Sequence, residues 1–212
     1  MKYVALDIGN VLVNVDFQGF LRKLSKRLNI TLEEALYFMN RSQKLHDLGL
    51  TVMKDELIDH LKIRSEVLRE ELIDDWNNCI TPADWMLEKL DTWCTEHDLQ
   101  VALLSNVGLE HAVRMSQVLN HNGFFDKAVK HFSCHVGARK PTVLYYQSFL
   151  ALHPEWKGCP YIDDLQENLD ASQQFGFRTY RFALDEISGK NYIEEAFNYK
   201  MDELEKFILA DP

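Results

Sequence analysis

Asp7 follows directly on the apolar run Tyr3-Val4-Ala5-Leu6, Ser105 and Asn106 end the run Val101-Ala102-Leu103-Leu104, and Asp163 and Asp164 end Pro160-Tyr161-Ile162. Lys140 stands within Gly137-Ala138-Arg139-Lys140-Pro141. A carboxylate at the end of a buried strand is costly unless it is paired, hydrogen-bonded or bound to a cation. Several carboxylates together repel one another unless a divalent cation sits among them. Oxygen donors of this kind suit Mg²⁺, which keeps waters and one substrate oxygen in its shell. A hydroxyl, an amide and an ammonium beside that ion hold a phosphoryl group. A central carboxylate then acts as a nucleophile and forms an acyl-phosphate.

That chemistry requires the groups to converge, so the elements between them matter. Each apolar run is short and reads as a buried strand. Residues 17–28 carry Phe20, Leu21, Leu24 and Leu28 at helical spacing, with Lys and Arg on the other face. Thr31 and Glu34 form a capping-box pattern at the start of a second helix. Residues 42–53 read as an irregular connector, and 54–61 and 65–77 as further helices. Thr81-Pro82 resembles a helix start, with Thr81 as cap and Pro82 at the first helical position. Beyond residue 100 strands and helices alternate, with helices over 109–119, 141–152, 165–175 and 201–209 and strands over 130–133 and 178–182. This pattern predicts an α/β fold with a parallel sheet, and in parallel sheets the carboxyl ends of the strands share one edge.

The chain has 212 residues, 46% apolar and 26% charged, enough for one core with a small accessory unit. A net charge of −10 argues against a nucleic-acid partner. Cys79, Cys94, Cys134 and Cys159 are far apart, without CxxC, and are expected as free thiols. No basic region followed by an apolar secretory segment opens the chain, and no apolar run approaches the ~20 residues of a membrane span. A cytoplasmic protein with no membrane partner is expected.

Four motifs in order carry a family resemblance. Asp7-Ile8-Gly9-Asn10-Val11-Leu12, Leu103-Leu104-Ser105-Asn106, Gly137-Ala138-Arg139-Lys140-Pro141 and Tyr161-Ile162-Asp163-Asp164, the last followed by Asn168, Leu169 and Ala171, resemble the haloacid dehalogenase (HAD) superfamily in its phosphatase branch. The first motif is similar to an Asp-x-Gly-Asn-Val variant of sugar-phosphatase-like members. The resemblance implies a Rossmann-like three-layer core over residues 1–15 and 96–212, with a helical cap over 16–95 inserted after the first strand. It implies Asp7 as nucleophile and Mg²⁺ ligand, the Gly9 carbonyl as a second ligand, Asp164 as metal-binding acid, and Asp163 as a further ligand or supporting partner. Ser105 and Asn106 would bind phosphoryl oxygens, and Lys140 would neutralise charge on nucleophile and transition state. The implied activity is Mg²⁺-dependent hydrolysis of a small phosphorylated metabolite, a sugar phosphate or nucleotide, through an aspartyl-phosphate.

One position departs from the family pattern. Most family phosphatases carry a second Asp two residues after the nucleophile, which protonates the leaving group and later activates water. Here it is Gly9. A substitute could come from His46, Asp47 or Asp16; the enzyme could be slow or use substrates with a good leaving group; or hydrolysis could be lost, leaving a binding or regulatory protein. Family dehalogenases also lack that Asp but work without metal, which suits the Asp163-Asp164 pair poorly. Of the remaining polar residues, Asn10 reads as a turn residue, Arg139 as a salt-bridging residue and Asn168 as a support for the acidic loop. His131 and His135 read as packing or surface residues.

Overall fold

The apolar run before Asp7 becomes the middle strand of the central sheet. In the computed structural model, which describes residues 2–186 and 194–210, β1 (Lys2–Leu6) leads into a short β2 (Val13–Val15). Helices α1 (Phe17–Leu28), α2 (Leu32–Asp47), α3 (Met53–Asp59) and α4 (Glu66–Asn77) follow, then β3 (Ile80–Pro82) and α5 (Asp84–His97). The rest alternates as β4 (Leu99–Ser105), α6 (Leu109–Val118), α7 (Phe124–Lys127), β5 (Val129–Phe132), α8 (Ser133–Val136), α9 (Val143–Leu152), β6 (Pro160–Asp163), α10 (Gln166–Gln173), β7 (Arg178–Arg181) and α11 (Glu194–Leu209). The main sheet has the order β5-β4-β1-β6-β7 and is parallel throughout.

Alternation along the strands builds the layers. Val4, Leu6, Val101, Leu103 and Ile162 join one apolar cluster with Met86, Leu90 and Trp93 of α5 and Leu204 and Ile208 of α11. Ala5, Ala102, Leu104 and Tyr161 belong to the other, with Tyr145, Tyr146 and Phe149 of α9 and Leu169 of α10. A sheet covered on both faces requires nearly continuous apolar strands, which is why the runs were readable. The result is the expected three-layer α/β core.

The helices α1 to α4 are enclosed by a two-stranded ribbon. β2 and β3 pair antiparallel, Val13 opposite Pro82 and Val15 opposite Ile80. This corrects the reading of Thr81-Pro82. Thr81 pairs with Asn14, and the helix starts only at Asp84, because cross-strand pairing outweighs a local start signal. The capping box forms as expected: Glu34 N donates to Thr31 Oγ1 at 3.1 Å and Thr31 N to Glu34 Oε2 at 2.8 Å. Helix α2 then continues to Asp47, through much of the expected connector, because Ser42, His46 and Asp47 are buried. Helix α11 likewise starts earlier than predicted, at Glu194.

Phe20, Leu24, Phe38, Leu57 and Leu72 of the insert share a cluster with one face of the sheet. The insert is thus seated on the core rather than tethered to it. Helix α5, within the residues expected for the insert, packs on β4. The turn after α2 comes very close to α8: Gly49 has φ +68°, and a Cβ there would lie 2.7 Å from the Cys134 carbonyl oxygen. Only glycine meets both conditions without strain. All four cysteines are free. Among the described residues no helix is long and apolar enough to cross a membrane.

Candidate active site

From β1 the chain places β4 and β5 on one side, then returns to put β6 and β7 on the other. Ligands bind outside the carboxyl ends of strands at such a reversal. Asp7 follows β1 there, Ser105 ends β4 and Asp163 ends β6. A chamber of about 550 Å³ opens at this edge and is lined by Asp7, Gly9, Ser105, Asn106, Lys140 and Asp164, among others. The parallel register therefore brings the separate motifs to one place.

Lys140 is the hub of this place and is 1% exposed. Its Nζ lies 2.9 Å from Asp7 Oδ1 and 2.7 Å from Asp163 Oδ2. The same ammonium donates to the Leu104 carbonyl at 2.8 Å and lies 3.1 Å from the Tyr161 hydroxyl. Although burial alone would lower its pKa, Asp163 and Asp7 hold it above the ordinary lysine value. A buried ammonium is tolerated here because carboxylates and a carbonyl replace its water.

Asp7 is held at one oxygen. Ile8 N donates to Oδ1 at 2.7 Å, and the Lys140 contact falls on Oδ1 too, so Oδ2 is left for an electrophile. Burial pushes the Asp7 carboxyl up to about 7, opposed by Lys140 and reinforced by Asp163 and Asp164. Asp164 is also raised by burial, against a hydrogen bond from Asn10. Asp7, Asp163 and Asp164 each offer a carboxylate oxygen, and the three lie within 4.8 Å of one another. This all-oxygen set fits a hard divalent cation. The turn after Asp7 uses the Ile8 and Val13 carbonyls for its main-chain hydrogen bonds rather than that of Gly9.

Asp163 takes the supporting one of its two expected roles, and Asn106 is engaged differently from expectation. Asp163 is fully buried, and both of its oxygens are taken. Leu165 N and Asn168 Nδ2 donate to Oδ1, each at 2.9 Å. Oδ2 receives Lys140 and the Tyr161 hydroxyl. Burial favours the neutral acid, yet Lys140 and these hydrogen bonds hold its pKa below the ordinary carboxylate value. Such saturation suits a support for Lys140 better than a direct metal ligand. Asn106, expected on phosphoryl oxygens, closes a reciprocal pair with the Lys140 main chain. Its Nδ2 donates to the Lys140 carbonyl at 3.0 Å, and Lys140 N donates to its Oδ1 at 2.8 Å.

Asn10 does more than turn the chain. It takes the left-handed conformation, φ +55°, that asparagine tolerates, and its Nδ2 donates to Asp164 Oδ2 at 3.3 Å. The signal was available in the sequence: an Asn at a left-handed turn beside a carboxylate motif supplies both conformation and donor.

The residues weighed as substitutes for the missing acid separate clearly. Asp16 caps α1, accepting from Gly19 N at 2.8 Å. Asp47, the last residue of α2, is buried, lines the chamber, and has its Oδ2 2.9 Å from Arg139 Nη2. Burial raises the Asp47 pKa against the pull of Arg139. His46 lines a neighbouring cavity instead. His131 is buried in β5, with Nε2 3.1 Å from the Tyr145 carbonyl oxygen and 3.0 Å from Ser148 Oγ, a packing role as expected.

Gly9 has room for a side chain: a Cβ would meet only Val15, at 3.8 Å, and its backbone is outside the left-handed region. Neither conformation nor crowding demands glycine at this position.

No protein-family model matches the chain, and no curated protein matches it in sequence. Solved structures do match. A HAD family enzyme from Bacteroides thetaiotaomicron aligns with a TM-score of 0.72 at 19% identity, over 85% of this chain and 93% of that one. The chain has the HAD fold. The wild-type Bacteroides enzyme in complex with magnesium and inorganic phosphate aligns with a TM-score of 0.66 at 18% identity, over 85% and 93% of the two chains. A dehalogenase structure matches the fold as well. The L-2-haloacid dehalogenase from Xanthobacter autotrophicus with chloropropionic acid covalently bound aligns with a TM-score of 0.58 at 14% identity, over 98% and 86% of the two chains.

Proposed function

We propose that the protein is a Mg²⁺-dependent phosphomonoester hydrolase acting on a small phosphorylated metabolite through an aspartyl-phosphate. The observation that carries the reading is Lys140 Nζ, 2.9 Å from Asp7 Oδ1, within a cluster of carboxylates that offers a cation its oxygens. Asp7 Oδ2 would attack phosphorus as the ester P–O bond breaks. Lys140 would hold Asp7 in line and offset charge as it grows on the phosphoryl oxygens. The Ser105 hydroxyl would bind one of those oxygens. Water then cleaves the acyl-phosphate, which releases inorganic phosphate and returns Asp7. Asp7, Asp164 and the Gly9 carbonyl would hold the metal ion. When bound, the ion supplies charge neutralisation and polarises the phosphoryl group. The magnesium and phosphate complex of the Bacteroides enzyme supports this reading.

Asp47 is the best-placed substitute for the acid absent at Gly9: Asp16 also lines the chamber but is exposed and occupied in capping α1, whereas Asp47 is buried there. A haloacid dehalogenase reading is served less well, because a metal-free site leaves Asp164 beside Asp7 with no cation to balance the two charges beyond Lys140. A non-hydrolytic binding protein is the second reading, favoured by Gly9.

Release of phosphate from p-nitrophenyl phosphate and a metabolite panel, with Mg²⁺ and with a chelator, separates these readings. The hydrolase requires Mg²⁺-dependent release that Asp7→Asn abolishes. Turnover that survives Asp7→Asn rules the mechanism out. A Mg²⁺-dependent thermal shift with phosphate, without turnover of any ester, selects the binding protein.

A further inference from the structure

Beside the carboxylate chamber lies a second cavity of about 320 Å³. Gly9, Gln43, Asp47, Ser105 and Asn106 line both, so the two spaces meet next to the position of the missing acid. Phe17, Met39 and Trp76 line the second cavity from the insert, and His111 and Met115 from the core. An apolar cavity of roughly 150 Å³ is enough for benzene, so there is room here for one or two fused rings.

Rings of Phe17, Trp76, His46 and His111 stand on this wall. The Trp76 and His111 rings stack with centroids 4.2 Å apart and planes 24° apart. His111 Nε2 also lies 3.2 Å from the Trp76 carbonyl oxygen, so the stack ties α4 of the insert to α6 of the core. The His46 ring meets Trp76 edge-on at 6.2 Å. Burial lowers both imidazoles, His111 to about 4, and so favours the neutral ring. The carboxylates on the wall are engaged: Glu110 accepts from Met53 N at 2.9 Å, and Asp47 pairs with Arg139. The polar side-chain groups left are those of Gln43, Thr51, Ser105 and His46, whose Nε2 is buried without a hydrogen-bond partner.

We infer that this cavity is a leaving-group subsite for an aromatic ring, and that the substrates are aryl phosphate monoesters rather than sugar phosphates. The inference rests on the phosphatase reading and narrows its substrate class. A flat ring gains from apolar contact with Phe17, Met39, Trp76 and Met115 on this wall. A sugar would set hydroxyls against the apolar side of this wall, formed by Phe17, Met39, Ile80, Leu109 and Met115, and each one left unmet weakens binding about tenfold. Gly9 agrees with the same choice. Asp7 Oδ2 bonds to phosphorus, the P–O(aryl) bond breaks, and its electron pair leaves on the aryl oxygen. A phenol ionises near a pKa of about 10, far below an alkyl alcohol, so the aryl oxide departs without a dedicated acid and takes its proton from water afterwards.

The test uses the full chain with Mg²⁺. Phenyl and 1-naphthyl phosphate are compared with glucose 6-phosphate and with acetyl phosphate, which has no ring. Binding of free 1-naphthol is measured by calorimetry, independently of turnover. We expect kcat/KM for the aryl esters to exceed that for the sugar ester by at least 100-fold, and 1-naphthol to bind. Trp76→Leu should then weaken 1-naphthol at least tenfold, with an unaltered circular dichroism spectrum and a cooperative thermal melt that report a folded variant. Equal or better turnover of the sugar ester overturns the inference and spares the phosphatase reading. An aryl preference without 1-naphthol binding also overturns it, because leaving-group reactivity then explains the ratio. Absence of turnover for every ester and for acetyl phosphate removes the phosphatase reading and this inference with it.

Discussion

Arg139 Nη2 lies 2.9 Å from Asp47 Oδ2, an ion pair that joins the loop carrying Lys140 to the last residue of α2. Insert and core are thus fastened at the rim of the chamber by the neighbour of its central ammonium. Removing one partner of a buried pair costs about 3–5 kcal/mol, because the other charge stays buried. The Arg139 side chain is 25% exposed, so Arg139→Ala is expected to lose less, about 2 kcal/mol. Urea unfolding measures this directly, and an unchanged midpoint would show that the pair does not hold the insert.

The Asp7 carboxyl sets a pH dependence of stability. Its pKa is raised from 3.8 to about 7 by burial. A raised carboxyl binds more protons folded than unfolded between these values, so without metal its contribution to stability falls as pH rises through that window. A cation bound at Asp7 opposes that loss and competes with the proton. The thermal shift produced by Mg²⁺ is therefore expected to be larger at pH 8 than at pH 5. Equal shifts at the two pH values would mean that the ion does not bind at Asp7.

Gly9→Asp is expected to fold with little change in melting temperature, since a Cβ has space and the backbone suits any residue. It places a carboxyl where family phosphatases carry their general acid. General acid–base catalysis contributes typically about 10²–10⁴-fold. We expect kcat for alkyl phosphates to rise at least tenfold and kcat for aryl phosphates to change little. An unchanged rate for alkyl esters would assign the proton transfer elsewhere, with Asp47 the next residue to replace.

Lys140→Met should be the most damaging single change in the site. It leaves Asp7 and Asp163 buried together without their shared cation, at a cost of about 3–5 kcal/mol, and removes the charge proposed to stabilise the transition state. Loss of about 10²–10³-fold in kcat is expected on that ground. Stability and single-turnover rate, measured in the same preparation with saturating Mg²⁺, check both parts.

Asn106→Ala tests whether this amide acts on substrate or through Lys140. Its two hydrogen bonds to the Lys140 main chain predict a loss of about 1–2 kcal/mol in stability and a lower kcat, with inhibition by inorganic phosphate unaltered. Phosphate inhibition weakened tenfold with kcat intact would return Asn106 to the phosphoryl oxygens.

Much of the fold was legible in the sequence because a sheet buried on both faces must be written in short apolar runs. Those runs end at Asp7, Ser105 and Asp163, so composition alone located the polar ends of the strands. Helical periodicity and the Thr31 capping box located α1 and the start of α2 for the same reason: these signals depend on neighbours in the chain. The β2–β3 ribbon was not legible. Thr81-Pro82 carries a helix-start signal, and only the distant partner Asn14 makes it a strand. The use of each polar group was decided in the same way. Nothing local to Asn106 says that its amide closes on Lys140, that Asp163 has both oxygens taken, or that Asp47 reaches Arg139. Hydrogen bonds and ion pairs are set by distance in space, which the folded chain alone determines. The sequence by itself determined which chemical groups stand at the strand ends. The tertiary structure decided which of them remain free to meet a ligand, because every contact made within the protein removes a donor or acceptor from the site.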